Sequence, residues 1–161
     1  MSCLAILHAA QTHLDVLSNI QRSFVHDLGM SESEAFLEHN LAPVSLRRDI
    51  AALGLLHKIQ LGEAHRGFES LFPRCDVPNL PTRHCARRHG RQFVEFSGNS
   101  YYFNQSLFTM PQVYNALPAY VVAATSVQQF QHLLTKDARI ACQTARTDWD
   151  RMYSNRKRLW H

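Results

Sequence analysis

Apolar residues early in this chain recur at intervals of three, four and seven, and strand-like pieces are few. Helices rather than a sheet must therefore build its core. Residues 4–28 carry one such stripe, Leu7, Leu14, Leu17, Phe24 and Leu28, and Gly29 can end it as a left-handed cap. Ser31 and Glu34 have the spacing of a capping box and open a short helix through Ala35, Phe36 and Leu37 that stops near Asn40. Pro43 turns the chain. Ser45 is placed to cap a third helix, in which Leu46, Ile50, Leu53 and His57 share a face and Gly62 follows as the C-terminal glycine.

Beyond Gly62 the pattern changes. Gly67, Pro73, Pro78, Pro81, Gly90 and Gly98 interrupt it, and the strand-like pieces are limited to FVEF and YYF. Helix returns from Leu107 to Tyr114, breaks at Pro118, and resumes after Ser126. There Gln129 completes a second capping box, and Phe130, Leu133 and Leu134 supply the buried face. This last helix is expected to run to about Tyr153. The expected fold class is thus mainly α, a small helical array in a single domain, residues 1–161. Helical parts at 1–62 and 105–153 flank an irregular basic segment, 63–104, with at most short β pieces, and residues 154–161 form a frayed basic tail.

A chain of 161 residues with 45% hydrophobic and 19% charged side chains buries a sizeable core and is not a disordered tail. Its net charge of +4 favours anionic partners. Four scattered cysteines and a start without a basic n-region are what a cytoplasmic or nuclear protein with reduced thiols would carry. No apolar run reaches the roughly 20 residues that span a bilayer, so no membrane is expected as a partner.

The catalytic vocabulary is poor. There is no G-x-S-x-G, no glycine-rich phosphate loop and no H-E-x-x-H, and with ten histidines a Ser or Cys beside a His can be named by chance alone. Asp148 and Asp150, two apart on an expected helix, face different ways and read as surface charges. Cys75, His84, Cys85 and His89 are zinc's usual ligand types. Adjacent His84 and Cys85 diverge, however, no C-x2-C knuckle exists, and the surrounding arginines oppose a divalent cation. No metal and no cofactor is expected.

Positive charge gathers in one place: Arg74, Arg83, Arg87, Arg88 and Arg91 against the single acid Asp76, with Phe93, Phe96, Tyr101 and Tyr102 just after. Guanidinium forks suit phosphates, and aromatic rings can stack on bases, so Arg83, Arg87, Arg88 and Arg91 are the candidate RNA or DNA contacts. An exposed soluble loop with its aromatics in the core fits the same residues equally well. His84 and His89 would add charge to such a strip as pH falls through about 6.5. Arg47 and Arg48, on the polar side of the third helix with Lys58, are secondary candidates, although a solvated face is the plainer account of them.

The stretch VYNALPAYVVAATSVQQFQHLL, residues 113–134, resembles a pattern near the C-terminus of reverse transcriptases from non-LTR (LINE-type) retrotransposons. Tyr114, Asn115, Leu117, Pro118, Val121, Val122, Ala124, Ser126, Phe130 and Leu133 carry the likeness. HLDVLSNIQRSFVHDLGMSESEAFLEHNLAPVSLRRDIAALGLLHKIQLG and FESLFP are similar to segments that precede this motif in the same proteins, so the resemblance covers roughly residues 5–135. It implies the helical region that follows the polymerase palm. In that family the palm supplies an aromatic-x-Asp-Asp strand for two metal ions, and no Asp-Asp occurs here. The resemblance therefore implies a non-catalytic part, with RNA or DNA and an upstream palm domain as partners. A basic residue that often precedes the aromatic-Asn pair in the family is Gln112 here. The alternative is a small helical protein–protein interaction module, or a relic without activity.

Overall fold

The computed structural model describes residues 11–75, 89–98, 100, 103 and 106–154. Among them seven α-helices follow one another: α1 Gln11–Asp27, α2 Glu32–His39, α3 Val44–Gln60, α4 Arg66–Leu71, α5 Met110–Asn115, α6 Ala119–Val122 and α7 Val127–Gln143. Single 3-10 turns at Leu107–Thr109 and Trp149–Arg151 complete the array. The expected mainly α class is what the chain adopts.

Helix ends follow the local chemistry. Gly29, at φ 71°, closes α1 with Met30 N–H donating to the Val25 carbonyl and Gly29 N–H to that of His26. Gly62, at φ 74°, closes α3 in the same way. Ser31 accepts from the Glu34 N–H while the Glu34 carboxylate accepts from the Ser31 N–H, which also holds that carboxyl below its usual range. Asn40 takes the left-handed conformation after α2.

Three expectations about these ends are corrected. Ser45 does not cap α3, because the helix begins one residue earlier with Pro43 at its N-cap and no side-chain bond there. Ser126 does cap α7, but the Gln129 carbonyl reaches past it to accept from the Thr125 N–H and hydroxyl. The last helix stops at Gln143 rather than near Tyr153: Ala145 sits at φ 54°, and the chain then folds back through the 3-10 turn. That return is driven by packing. Trp149 stacks on Phe36 at 5.3 Å, and the Tyr153 hydroxyl donates to the Leu134 carbonyl at 3.0 Å.

The core forms where α3 lies against α7, with α5 and α6 across one end. Leu46, Leu53, Leu56 and Ile59 from α3 meet Phe130, Leu134 and Ala138 from α7, and Tyr114, Val121 and Val122 join them, all buried. Gly54 allows the close approach, since a Cβ there would press on the Gln131 side chain. Arg139 of α7 ties in α2 by donating to the Phe36 and Leu37 carbonyls from above the Phe36 ring. The stripe expected on the first helix is a different matter. Leu14 and Val25 are buried, whereas Leu17, Phe24 and Leu28 are exposed.

The described part of the middle segment holds one short helix and one bridge. FESLFP begins inside α4, and Arg74 and Phe93 form an isolated antiparallel bridge, the β content of the described residues. Among the described residues no helix is long and apolar enough to cross a membrane.

Candidate nucleic-acid interface

Three of the candidate contacts, Arg83, Arg87 and Arg88, lie outside the described residues, as do His84, Cys85, Tyr101 and Tyr102. What the structure defines is the pair of chain ends from which that arginine-rich stretch departs and returns. On the departing side Cys75 N–H donates to the Gln92 carbonyl at 2.8 Å, and Val94 N–H donates to the Pro73 carbonyl at 3.0 Å. Those two bonds flank the Arg74–Phe93 pair, so the backbone groups of Phe93 itself point away from Arg74.

They point at Asn115. Its side-chain oxygen accepts from Phe93 N–H at 2.9 Å and its side-chain nitrogen donates to the Phe93 carbonyl at 2.9 Å. One side-chain amide thus replaces a third strand. The same nitrogen also donates to the Glu95 carboxylate at 3.0 Å. With Asn115 and Phe93 both buried, these bonds satisfy groups that water cannot reach.

Two buried histidines complete the support, and Tyr114 connects them. His57 Nε2 lies 3.1 Å from the Ala124 carbonyl, an acceptor only, so that nitrogen carries the proton. Nδ1 must then accept from the Tyr114 hydroxyl at 2.9 Å. His89 repeats the arrangement: Nε2 donates to the Tyr114 carbonyl at 3.0 Å, and Nδ1 accepts from the Arg91 N–H at 3.2 Å. His89 is therefore neutral with one tautomer, and His57 takes the matching tautomer in the neutral form that its burial favours. Burial holds the two imidazoles below their ordinary pKa, against the pull of their carbonyl partners, and the Arg91 charge depresses them further. Burial also pushes the Tyr114 phenol up.

This changes the expected roles. His89 is neither a metal ligand nor a titrating member of a cationic strip, because both ring nitrogens are engaged and the residue is buried. Among the described residues no three His, Cys, Asp or Glu side chains gather as a metal site. Arg91 is exposed, yet its guanidinium donates to the Val122 carbonyl at 3.0 Å, at the C-terminus of α6. Arg74 does the same for the Ile59 carbonyl near the end of α3, at 2.8 Å. Arg48 does not lie on a polar face. It is buried, with Nε and Nη2 both on Asp49 Oδ1 at 3.1 and 3.0 Å. Arg47 is exposed and bonds Gln21 across to α1. Phe93 lies in the core, and Phe96 packs edge-on against Phe72 and Phe108, so neither ring is free to stack on a base. Asp148 is exposed at the start of the last 3-10 turn, where Arg146 pairs with it and lowers its carboxyl.

Residues of the resembling motif form the buried centre. Leu117 and Pro118 separate α5 from α6, Ser126 starts α7, and Val121, Val122 and Phe130 close over Tyr114. Sequence reasoning missed the Asn115 clamp and the paired histidines. The signal was present in His57 on an apolar face and in Asn115 between Tyr114 and Leu117, polar residues at positions where the helix buries its side chains. No family model, no curated protein and no solved structure matches this chain.

Proposed function

We propose that this chain is a non-catalytic helical part of a reverse-transcriptase-like architecture, resembling the region after the palm, and that it binds RNA or DNA electrostatically. The observation that supports binding is the concentration of Arg83, Arg87 and Arg88 between two chain ends, Cys75 and His89, that hydrogen bonds anchor to the core. Guanidinium groups carried on such an anchored stretch meet phosphates without first ordering the stems that hold them. Arg47 supplements them. Arg91 and Arg74 anchor the stems, and Arg48 is spent in its pair with Asp49.

The test replaces Arg83, Arg87 and Arg88 by Ala together and measures RNA and DNA binding across a salt series. Affinity for both should fall, and the slope of log affinity against log salt should flatten by about 0.7 to 0.9 per lost phosphate contact. Base preference should be unchanged, since phosphate contacts position without specifying. Unaltered affinity and slope would refute the reading.

A second reading, a helical protein–protein interaction module of the kind that would pack on a palm domain, is favoured by the outer face of α1. Val16, Leu17, Ile20, Phe24 and Leu28 are exposed there among the described residues.

A further inference from the structure

The outer face of α1 is organised and not merely apolar. Val16, Ile20, Phe24 and Leu28 follow one another at intervals of four, and Leu17 stands one turn before Ile20, so the five form a continuous ridge. They are 57%, 62%, 55%, 55% and 40% exposed in that order. The adjoining side of the helix is already used: Leu14 and Val25 are buried, and Gln21 donates to the Ala42 carbonyl. Arg22, half a turn from the ridge, is held by Glu32 and Asn19.

The ridge is also symmetric about Ile20. Residues equally far from it on either side are Val16 with Phe24, and His13 with Asp27. His13 and Asp27 lie on the same face at its two ends, and both are exposed. We propose that this face binds a second copy of the chain as an antiparallel, two-fold helix pair centred on Ile20. Ile20 then meets its own equivalent, Val16 of each copy covers Phe24 of the other, and His13 of each copy faces Asp27 of the other. The charge pattern selects the direction. A parallel pair would set Asp27 against Asp27, whereas the antiparallel pair brings His13 of the other copy to each Asp27 carboxylate, beside the His26 ring that already lies 4.0 Å from it. An interface that matches itself in this way closes as a dimer and leaves no open end.

Five large side chains at roughly 100 Å² each would remove about 500 Å² per copy and about 1,000 Å² in all. That lies at the lower limit of specific interfaces, so the dimer is weak and reversible. The proposal does not rest on RNA or DNA binding.

Sedimentation velocity of the full chain over a concentration series tests it. A reversible monomer–dimer equilibrium is expected, and Ile20→Glu should abolish it while leaving the helical circular dichroism intact. His13→Asp and Asp27→His should each weaken the dimer by about threefold or more, and the two changes together should restore it. A misfolded variant would show no such rescue. A monomer at every concentration would overturn the proposal, as would a dimer indifferent to Ile20→Glu. If instead a monomer lost thermal stability on Ile20→Glu, the chain's own residues would cover the ridge, and the proposal would again fall.

Discussion

Replacing Asn115 by Ala should unclip the Arg74–Phe93 bridge from the helical core. The substitution removes the acceptor for Phe93 N–H and the donor for the Phe93 carbonyl, both at 2.9 Å in the native protein, and the bond to Glu95. Phe93 is 1% exposed and Asn115 3% exposed, so water does not replace the lost partners without local opening. Each orphaned buried group costs about 1–3 kcal/mol, which puts the pair near 4 kcal/mol. For a chain of this size each kcal/mol moves the melting temperature by roughly 2–4 °C, so Tm should fall by about 8–16 °C. Urea denaturation gives the free energy, and amide hydrogen exchange identifies the cause, because the Phe93 N–H should lose protection before the amides of α7. Asn115→Asp is the discriminating variant. It keeps an acceptor for Phe93 N–H but turns the donor toward the Phe93 carbonyl and Glu95 into a second carboxylate, so it should not rescue stability at neutral pH. A loss below about 1 kcal/mol for Asn115→Ala, or an unchanged Phe93 exchange rate, would refute the claim that this amide stands in for a strand.

Acid should destabilise the protein through His57 and His89. Burial lowers both folded-state pKa values, so below about pH 6.5 the unfolded chain binds protons that the folded chain refuses; stability is complete above that pH and is lost as pH falls toward the folded values. The slope should reach up to about 1.4 kcal/mol per pH unit for each histidine, and urea midpoints that stay level between pH 7 and pH 5.5 would rule it out. RNA or DNA affinity should accordingly gain nothing from His89 on acidification, which His89→Gln tests by leaving the pH dependence of binding unchanged. Arg91→Ala should cost about 1 kcal/mol through the lost bond to the Val122 carbonyl, read as a shift in urea midpoint, and the same change should alter the salt slope of nucleic-acid binding little. Gly62→Ala should cost about 1 kcal/mol because φ 74° places a Cβ against the carbonyl, and a neutral result in thermal melts would deny that the left-handed cap is required.

The longer helices and several of their ends follow from the sequence because their causes are local, whereas the short α4 and α6 are not anticipated from it. The Ser31–Glu34 box, Asn40, Gly29 and Gly62 act through bonds within a few residues, and the face of Leu46, Ile50, Leu53 and His57 comes from helical periodicity alone. Periodicity says that a stripe is apolar but not what it meets. The stripe on α1 therefore looked like core, and only the packing turned Leu14 and Val25 inward and left Phe24 and Leu28 outside. Charge has the same ambiguity. Arg48 and Arg47 are neighbours in the chain, yet one is buried on Asp49 and the other is in solvent, because 100° of helical rotation separates them. The last helix ends at Gln143 for a reason its own residues do not contain: Trp149 finds Phe36, far off in the chain, and that contact draws the chain back. Asn115 and Phe93, His57 and Ala124, and His89 and Tyr114 are likewise pairs made by folding across 22, 67 and 25 positions. These pairs are not anticipated from the sequence, and the tertiary structure alone decided them, because a side-chain hydrogen bond depends on distance in space and carries no trace in local spacing.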